Sequence, residues 1–139
     1  MRIRVLVADD NRLFSEAIAA LLESDARLEV VGSATNGAEA VDFARKLEPD
    51  VVLMDTYMPV MTGIEATERI LAWLPQAKII VLPPHASPEE AELAFAAGAV
   101  DCVGKDELGL HLVNSVIALA SATERETAAS FLATGLPYT

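Results

Sequence analysis

Cysteine is nearly absent. Cys102 is the only one in 139 residues, so an internal disulfide is impossible and a zinc site built on thiolates has no ligand set. Aromatic side chains are scarce as well, at 5% of a chain that is 53% hydrophobic. Val, Ile, Leu and Ala must therefore fill the core, and a chain this apolar is expected to fold. No apolar run approaches the roughly 20 residues that cross a bilayer. The start, Met1-Arg2-Ile3-Arg4-Val5, soon meets Asp9 and Asp10, which interrupts any signal-peptide core. These absences predict a soluble cytoplasmic protein without membrane association. Basic charge is also in short supply: 10 Lys and Arg face 21 Asp and Glu, for a net charge of −11. The basic residues are scattered, so phosphate backbones and anionic lipids should be repelled. Direct nucleic-acid binding by this chain is not expected.

What the chain does have is alternation. Ile3-Arg4-Val5-Leu6-Val7-Ala8 reads as a strand that Asp9-Asp10-Asn11 ends, and Phe14, Ala17, Ile18, Leu21 and Leu22 then recur at helical spacing. Leu28–Gly32 reads as a second strand. Asn36-Gly37-Ala38-Glu39 is a capping box that opens a helix lined by Val41, Ala44 and Leu47. Val51-Val52-Leu53-Met54 is a short run buried on both faces, and Asp55 stands at its carboxyl end. Thr62-Gly63-Ile64-Glu65 opens a third helix through about Trp73, with Pro75 beyond it. Lys78–Leu82 is a fourth strand, stopped by Pro83-Pro84. Ser87-Pro88-Glu89-Glu90 opens a helix that Gly98 ends. Val100–Val103 is a short fifth strand, and a fifth helix begins near Glu107 with Leu108, Leu112, Val113, Val116 and Ile117 inward.

Five strand–helix repeats predict an α/β protein with a parallel sheet and helices on both faces. In the flavodoxin-like (βα)5 order 2-1-3-4-5, functional groups gather at the carboxyl ends of strands one and three. Asp9, Asp10 and Asp55 would share that edge, with Lys105 just past strand five. Three crowded carboxylates repel one another. A hard divalent cation relieves this, and Mg²⁺ suits a few carboxylates plus water. Acids, metal and lysine together point to phosphoryl transfer onto a carboxylate, with Asp55 as nucleophile and Mg²⁺ held by Asp10 and Asp55. Each residue also has a plainer reading: Asp55 and Asp9 as turn acids, Asp10 as a helix cap, Lys105 as a surface lysine.

The sequence resembles a response-regulator receiver domain over residues 1 to about 120. The matching residues are Val5-Leu6-Val7-Ala8-Asp9-Asp10, Asp50-Val51-Val52-Leu53-Met54-Asp55, Met58-Pro59, Met61-Thr62-Gly63-Ile64-Glu65-Ala66, Ala97-Gly98-Ala99 and Lys105. The resemblance implies that Asp55 accepts a phosphoryl group from a sensor histidine kinase in a two-component pathway. It implies that Asp10 and Asp55 ligate Mg²⁺, with Asp9 acting through water and the Tyr57 carbonyl as a further ligand, and that Lys105 contacts the phosphoryl group. It also implies a partner or homodimer face on helix four, strand five and helix five. There Leu110 and Leu119 fall off the main stripe and read either as half-exposed contact residues or as ordinary scattered surface apolars. The local style is similar to the subfamily with a LuxR-type helix-turn-helix, which implies control of transcription through an output domain absent from this chain.

Two departures from the family pattern stand out. Receivers usually carry Thr or Ser and then a small residue after strand four. Here Pro83 and Pro84 supply neither hydroxyl nor N–H. The usual Tyr or Phe of strand five is Cys102. Both halves of the usual switch are therefore missing, which keeps a second function open: a phosphorylation-independent interaction or dimerisation module. An enzyme is not expected. Aspartate-nucleophile phosphatases usually place a second acid two residues after the nucleophile, where this chain has Tyr57, and Asp9-Asp10-Asn11-Arg12 replaces any glycine-rich phosphate loop. The organisation expected is a receiver over 1–121. Residues 122–139 then form either an extension of helix five or the truncated start of an output domain, since Thr123-Glu124-Arg125-Glu126 and Leu132-Ala133-Thr134-Gly135-Leu136 resemble a LuxR-type opening.

Overall fold

The computed structural model describes residues 2–109 and 111–121. Leu110 and the stretch 122–139, read above as a contact or scattered surface residue and as a helix extension or output-domain start, lie outside the described residues. The elements follow the expected alternation: β1 Ile3–Ala8, α1 Arg12–Glu23, β2 Leu28–Ala34, α2 Gly37–Leu47, β3 Val51–Asp55, α3 Gly63–Trp73, β4 Lys78–Leu82, α4 Pro88–Ala96, β5 Asp101–Cys102 and α5 His111–Ser121. All strand pairs are parallel, in the order β2-β1-β3-β4-β5. This is the flavodoxin-like arrangement the alternation predicts. No described helix is long and apolar enough to cross a membrane.

Side-chain alternation on the central strands builds two cores. Leu6, Ala8, Val52, Met54, Ile79 and Val81 face α2, α3 and α4, where Ala44, Ala66, Ile70 and Ala94 meet them. Val5, Val7, Val51, Leu53, Ile80 and Leu82 face α1 and α5, where Ile18, Leu22, Leu112 and Val116 meet them. Each buried Leu or Ile contributes about 1.5–3 kcal/mol over an exposed one. With so few aromatics, the cores depend on many such aliphatic contacts.

Local chemistry sets the helix starts. Side chains of Asn11, Asn36, Thr62 and Ser87 accept from the backbone N–H groups of Phe14, Glu39, Glu65 and Glu90, at 2.8–3.2 Å. The Glu39 carboxylate reaches one residue further back than a simple capping box requires, accepting from the Thr35 backbone N–H and hydroxyl. Gly63 is needed at the start of α3 because a Cβ there would overlap the Asp55 carbonyl oxygen. Its N–H donates to the Thr56 carbonyl at 2.9 Å.

Several expectations are corrected. β2 runs on to Ala34, because Asp9 N–H donates to the Ala34 carbonyl and continues the pairing. β5 is only Asp101–Cys102. Helix α5 starts at His111, since Lys105–Glu107 forms a separate 3₁₀ turn held by Lys105 N–H on the Pro83 carbonyl. Leu119, read as a half-exposed contact or a scattered surface apolar, is fully buried in the α1–α5 core.

Val60, between β3 and α3, has φ of +72° and is 82% exposed. Its β-branch is poorly suited to the left-handed region, and it packs little in return. Val60→Asn should raise stability by about 1 kcal/mol, read as a higher urea midpoint at unchanged m-value. Asp101 is buried beside α5, and that burial pushes its carboxyl up to about 6, opposed by the hydrogen bond it accepts from Cys102 N–H. An acid raised in the folded state takes up protons on folding, so stability is highest below its unfolded value. That stability is lost as pH rises from about 4 through about 6. Asp101→Asn removes this dependence. The variant should match wild type near pH 4 and exceed it by roughly 2–3 kcal/mol at pH 8, measured by denaturation at each pH.

Candidate functional site

Register brings the acids together. On β1 and β3, Val7 pairs with Leu53 and Ala8 with Met54; one step further, Asp9 stands opposite Asp55, both on the α1–α5 side. Asp9 and Asp55 are buried and Asp10 is exposed, and an oxygen from each lies within 4.8 Å of the others. Lys105 Nζ lies 2.6 Å from Asp9 Oδ2 and 3.1 Å from Asp55 Oδ1. The same ammonium rides 4.5 Å above the Phe14 ring. Asp9 Oδ1 accepts from Asn11 N–H at 2.8 Å. Of the residues singled out in the sequence, Asp9, Asp10, Asp55 and Lys105 thus converge on one edge.

The charges do not balance. Burial pushes the Asp55 carboxyl up to about 6; Lys105 pulls it back, and Asp9 and Asp10 push it further. Burial works against the Lys105 charge, yet Asp9 and Asp55 outweigh it and hold the ammonium above its ordinary value. Three carboxylates against one ammonium leave excess negative charge in a partly dehydrated cleft, and the donors are all hard oxygens. That set suits a divalent cation of the Mg²⁺ type and not a soft metal.

Pro83 is buried and Pro84 exposed. They offer no N–H, but their carbonyls accept from Lys105 N–H at 2.8 Å and Asp106 N–H at 3.4 Å. Beside them, His85 Nδ1 is 2.8 Å from Asp106 Oδ2. Cys102 lies half-buried on the α2–α4 side of the sheet, where burial first, and then Asp101 and Glu90, push its thiol up to about 11. It is no nucleophile near neutral pH.

Tyr57 is 62% exposed, and its hydroxyl donates to Glu90 Oε1 at 2.6 Å, linking the β3–α3 loop to α4. That acceptor holds the phenol above its ordinary range. Sequence reasoning missed this link, because an exposed tyrosine and a half-buried glutamate 33 residues apart leave no local signal. It also missed Thr56 and Ser15, whose hydroxyls are buried without a partner, and Phe14 as the ring beneath Lys105. The helical spacing of Phe14 marked it only as a core residue.

Comparison with known proteins agrees with this geometry. The family model described as response regulator receiver domain matches residues 5–117. A protein-glutamate methylesterase/protein-glutamine glutaminase of Halalkalibacterium halodurans is 46% identical over 107 residues, covering 75% of this chain and 30% of that protein. The transcriptional regulatory protein LiaR of Bacillus subtilis is 38% identical over 114 residues, covering 82% and 54%. A two-component response regulator of the LuxR family from Aurantimonas sp. SI85-9A1 superposes with a TM-score of 0.82 at 29% identity, covering 95% of this chain and 99% of that one. The chain spans between 27% and 54% of the lengths of the first curated relatives it matches.

Among the described residues, Lys105 is the only ammonium touching the two buried acids. Lys105→Met should cost about 2–3 kcal/mol, somewhat less than breaking a fully buried pair because the side chain is 22% exposed. Adding Asp9→Asn to that variant should recover part of the loss. Urea denaturation of the single and double variants without metal checks both, and simple additivity would contradict the pairing.

Proposed function

The chain belongs to the response regulator receiver domain family, and from that footing we propose that Asp55 is its phosphoacceptor, supplied by a sensor histidine kinase. The observation that carries this reading is Lys105 bridging Asp9 and Asp55 at 2.6 and 3.1 Å inside the three-acid cluster. An Asp55 carboxylate oxygen attacks phosphorus, an acyl phosphate forms, and the bond from phosphorus to the donor's imidazole nitrogen breaks. Lys105 then turns from a carboxylate partner into a contact for the phosphoryl oxygens. Asp10 and Asp55 would hold Mg²⁺, with Asp9 through water and the Tyr57 carbonyl as a further ligand. The ion, when bound, neutralises the acids and the transferring oxygens.

The missing donors at Pro83 and Pro84 set the lifetime. Two hydrogen bonds to a charged group, each worth roughly 1.5–3 kcal/mol, are lost, so the acyl phosphate forms but is short-lived. A phosphorylation-independent module is the less favoured reading, because Asp9, Asp10, Asp55 and Lys105 all stand in place. The face of α4, β5 and α5, where Leu93 is 56% exposed, is the surface we assign to a partner or second copy. Transcription control through a LuxR-type output domain fits the relative named a transcriptional regulatory protein. Methylesterase chemistry belongs to the portions of the other relatives that this chain does not match.

Intact mass after incubation with Mg²⁺ and acetyl phosphate tests the assignment. One phosphoryl adduct is expected, abolished in Asp55→Ala; persistence of the adduct in that variant would refute it. The Pro83→Thr, Pro84→Ala, Cys102→Tyr variant should keep its label at least roughly tenfold longer, given the restored hydrogen bonds. Equal lifetimes would show that other groups already do their work.

A further inference from the structure

Between α2 and α3 lies an open groove of about 710 Å³ that takes no part in the acid site. Val41 and Arg45 line it from α2, Arg69 and Trp73 from α3, and Val60 and Met61 close the end that leads back along the chain to Asp55. Its surface is unusual for this molecule. Trp73 is 60% exposed and Val60 82% exposed, two of the five large hydrophobic side chains left in water among the described residues. Arg45 stacks over Trp73 with its guanidinium 5.1 Å from the ring centre. Arg and Trp are the side chains that most often carry binding energy at protein interfaces.

The charges of the groove are unevenly spent. Of its two acids, Asp42 pairs with Lys46 at 3.1 Å, and Glu39 keeps its charge but is turned to the Thr35 backbone N–H and hydroxyl at 2.8 and 3.1 Å. Arg45 and Arg69 have no carboxylate partner among the described residues. On a chain of net charge −11, these are two guanidinium groups without a carboxylate partner beside an exposed tryptophan, available to a carboxylate brought by a ligand.

We propose that this groove binds an acidic amphipathic peptide segment of a partner protein. Its apolar side chains would rest on Val41, Val60, Met61 and Trp73, and its carboxylates would meet the planar forks of Arg45 and Arg69. The flanking helices have 11 residues each, about 16 Å of length at 1.5 Å per residue, which accommodates about three turns of a helix laid in the groove. A second copy of the chain is the competing occupant, and the concentration series below separates it. The site is separate from Asp55 and needs no phosphoryl group.

Trp73 is the only tryptophan, so its emission reports the groove directly. The probe is a synthetic helical peptide of about twelve residues, with leucines on one face, glutamates on the other and no tryptophan. A matched peptide carries lysines in place of the glutamates. The glutamate peptide should shift Trp73 emission to the blue and saturate, weaken as salt is raised, and bind Asp55→Ala equally well. The lysine peptide should not bind. Arg45→Glu with Arg69→Glu should weaken the glutamate peptide by at least roughly tenfold while leaving circular dichroism and melting unchanged. If that double variant does not fold, the two peptides and the salt series on the wild-type chain decide alone. Equal response to both peptides, insensitivity to salt, or no saturable shift would overturn the proposal. So would a blue shift that appears with protein concentration alone, which would assign the groove to self-association.

Discussion

A single ammonium group holds the carboxyl edge of the sheet together. Asp9 and Asp55 end adjacent strands on the same side and are both buried. Burying two such acids without a cation would cost more than the surrounding contacts return. Lys105 supplies that cation, and much of the neighbouring structure serves to put it there. β5 pairs with β4, Val103 N–H bonds to the Val81 carbonyl, and Lys105 N–H bonds to the Pro83 carbonyl. Phe14 on α1 then limits where the ammonium can go. The α1–α5 core and the reactive edge are thus a continuous assembly.

Pro83 and Pro84 change meaning in that setting. In sequence they register as losses, since an imino acid has no N–H to offer. In the fold their carbonyls support the turn that carries Lys105. The β4–α4 loop therefore braces the turn that carries Lys105 through its carbonyls, while its proline nitrogens carry no hydrogen to donate. The link from Tyr57 to Glu90 crosses the same region at the surface, and it ties the loop after Asp55 to α4 by a route that involves neither Pro83 nor Cys102.

Much of this was legible because the signals are local. Cap residues, helical spacing and apolar runs each act over a few positions, and they gave the alternation and the first four helix starts, while the sheet order came with the flavodoxin-like arrangement. The acid edge was legible because strand ends in a parallel sheet share one rim. What stayed hidden depends on contacts distant in sequence. A strand buried along its whole length, as Val51–Asp55 is, does not reveal which residue faces which side; only the register with β1 does. The apolar side chains near Glu107 fit a helix, yet the bond from Lys105 to Pro83 diverts the backbone into a 3₁₀ turn first. Leu119 was left off the stripe, although it stands seven residues after Leu112 and three after Val116, on the face that those two bury. The left-handed backbone at Val60 runs against its residue type, so no propensity could have announced it.

The missing side chain at Gly63 has a mechanical meaning. With no Cβ on Gly63, the first turn of α3 rests directly against the carbonyl of Asp55, so any larger residue there would prise the helix away from the strand end that carries the acid.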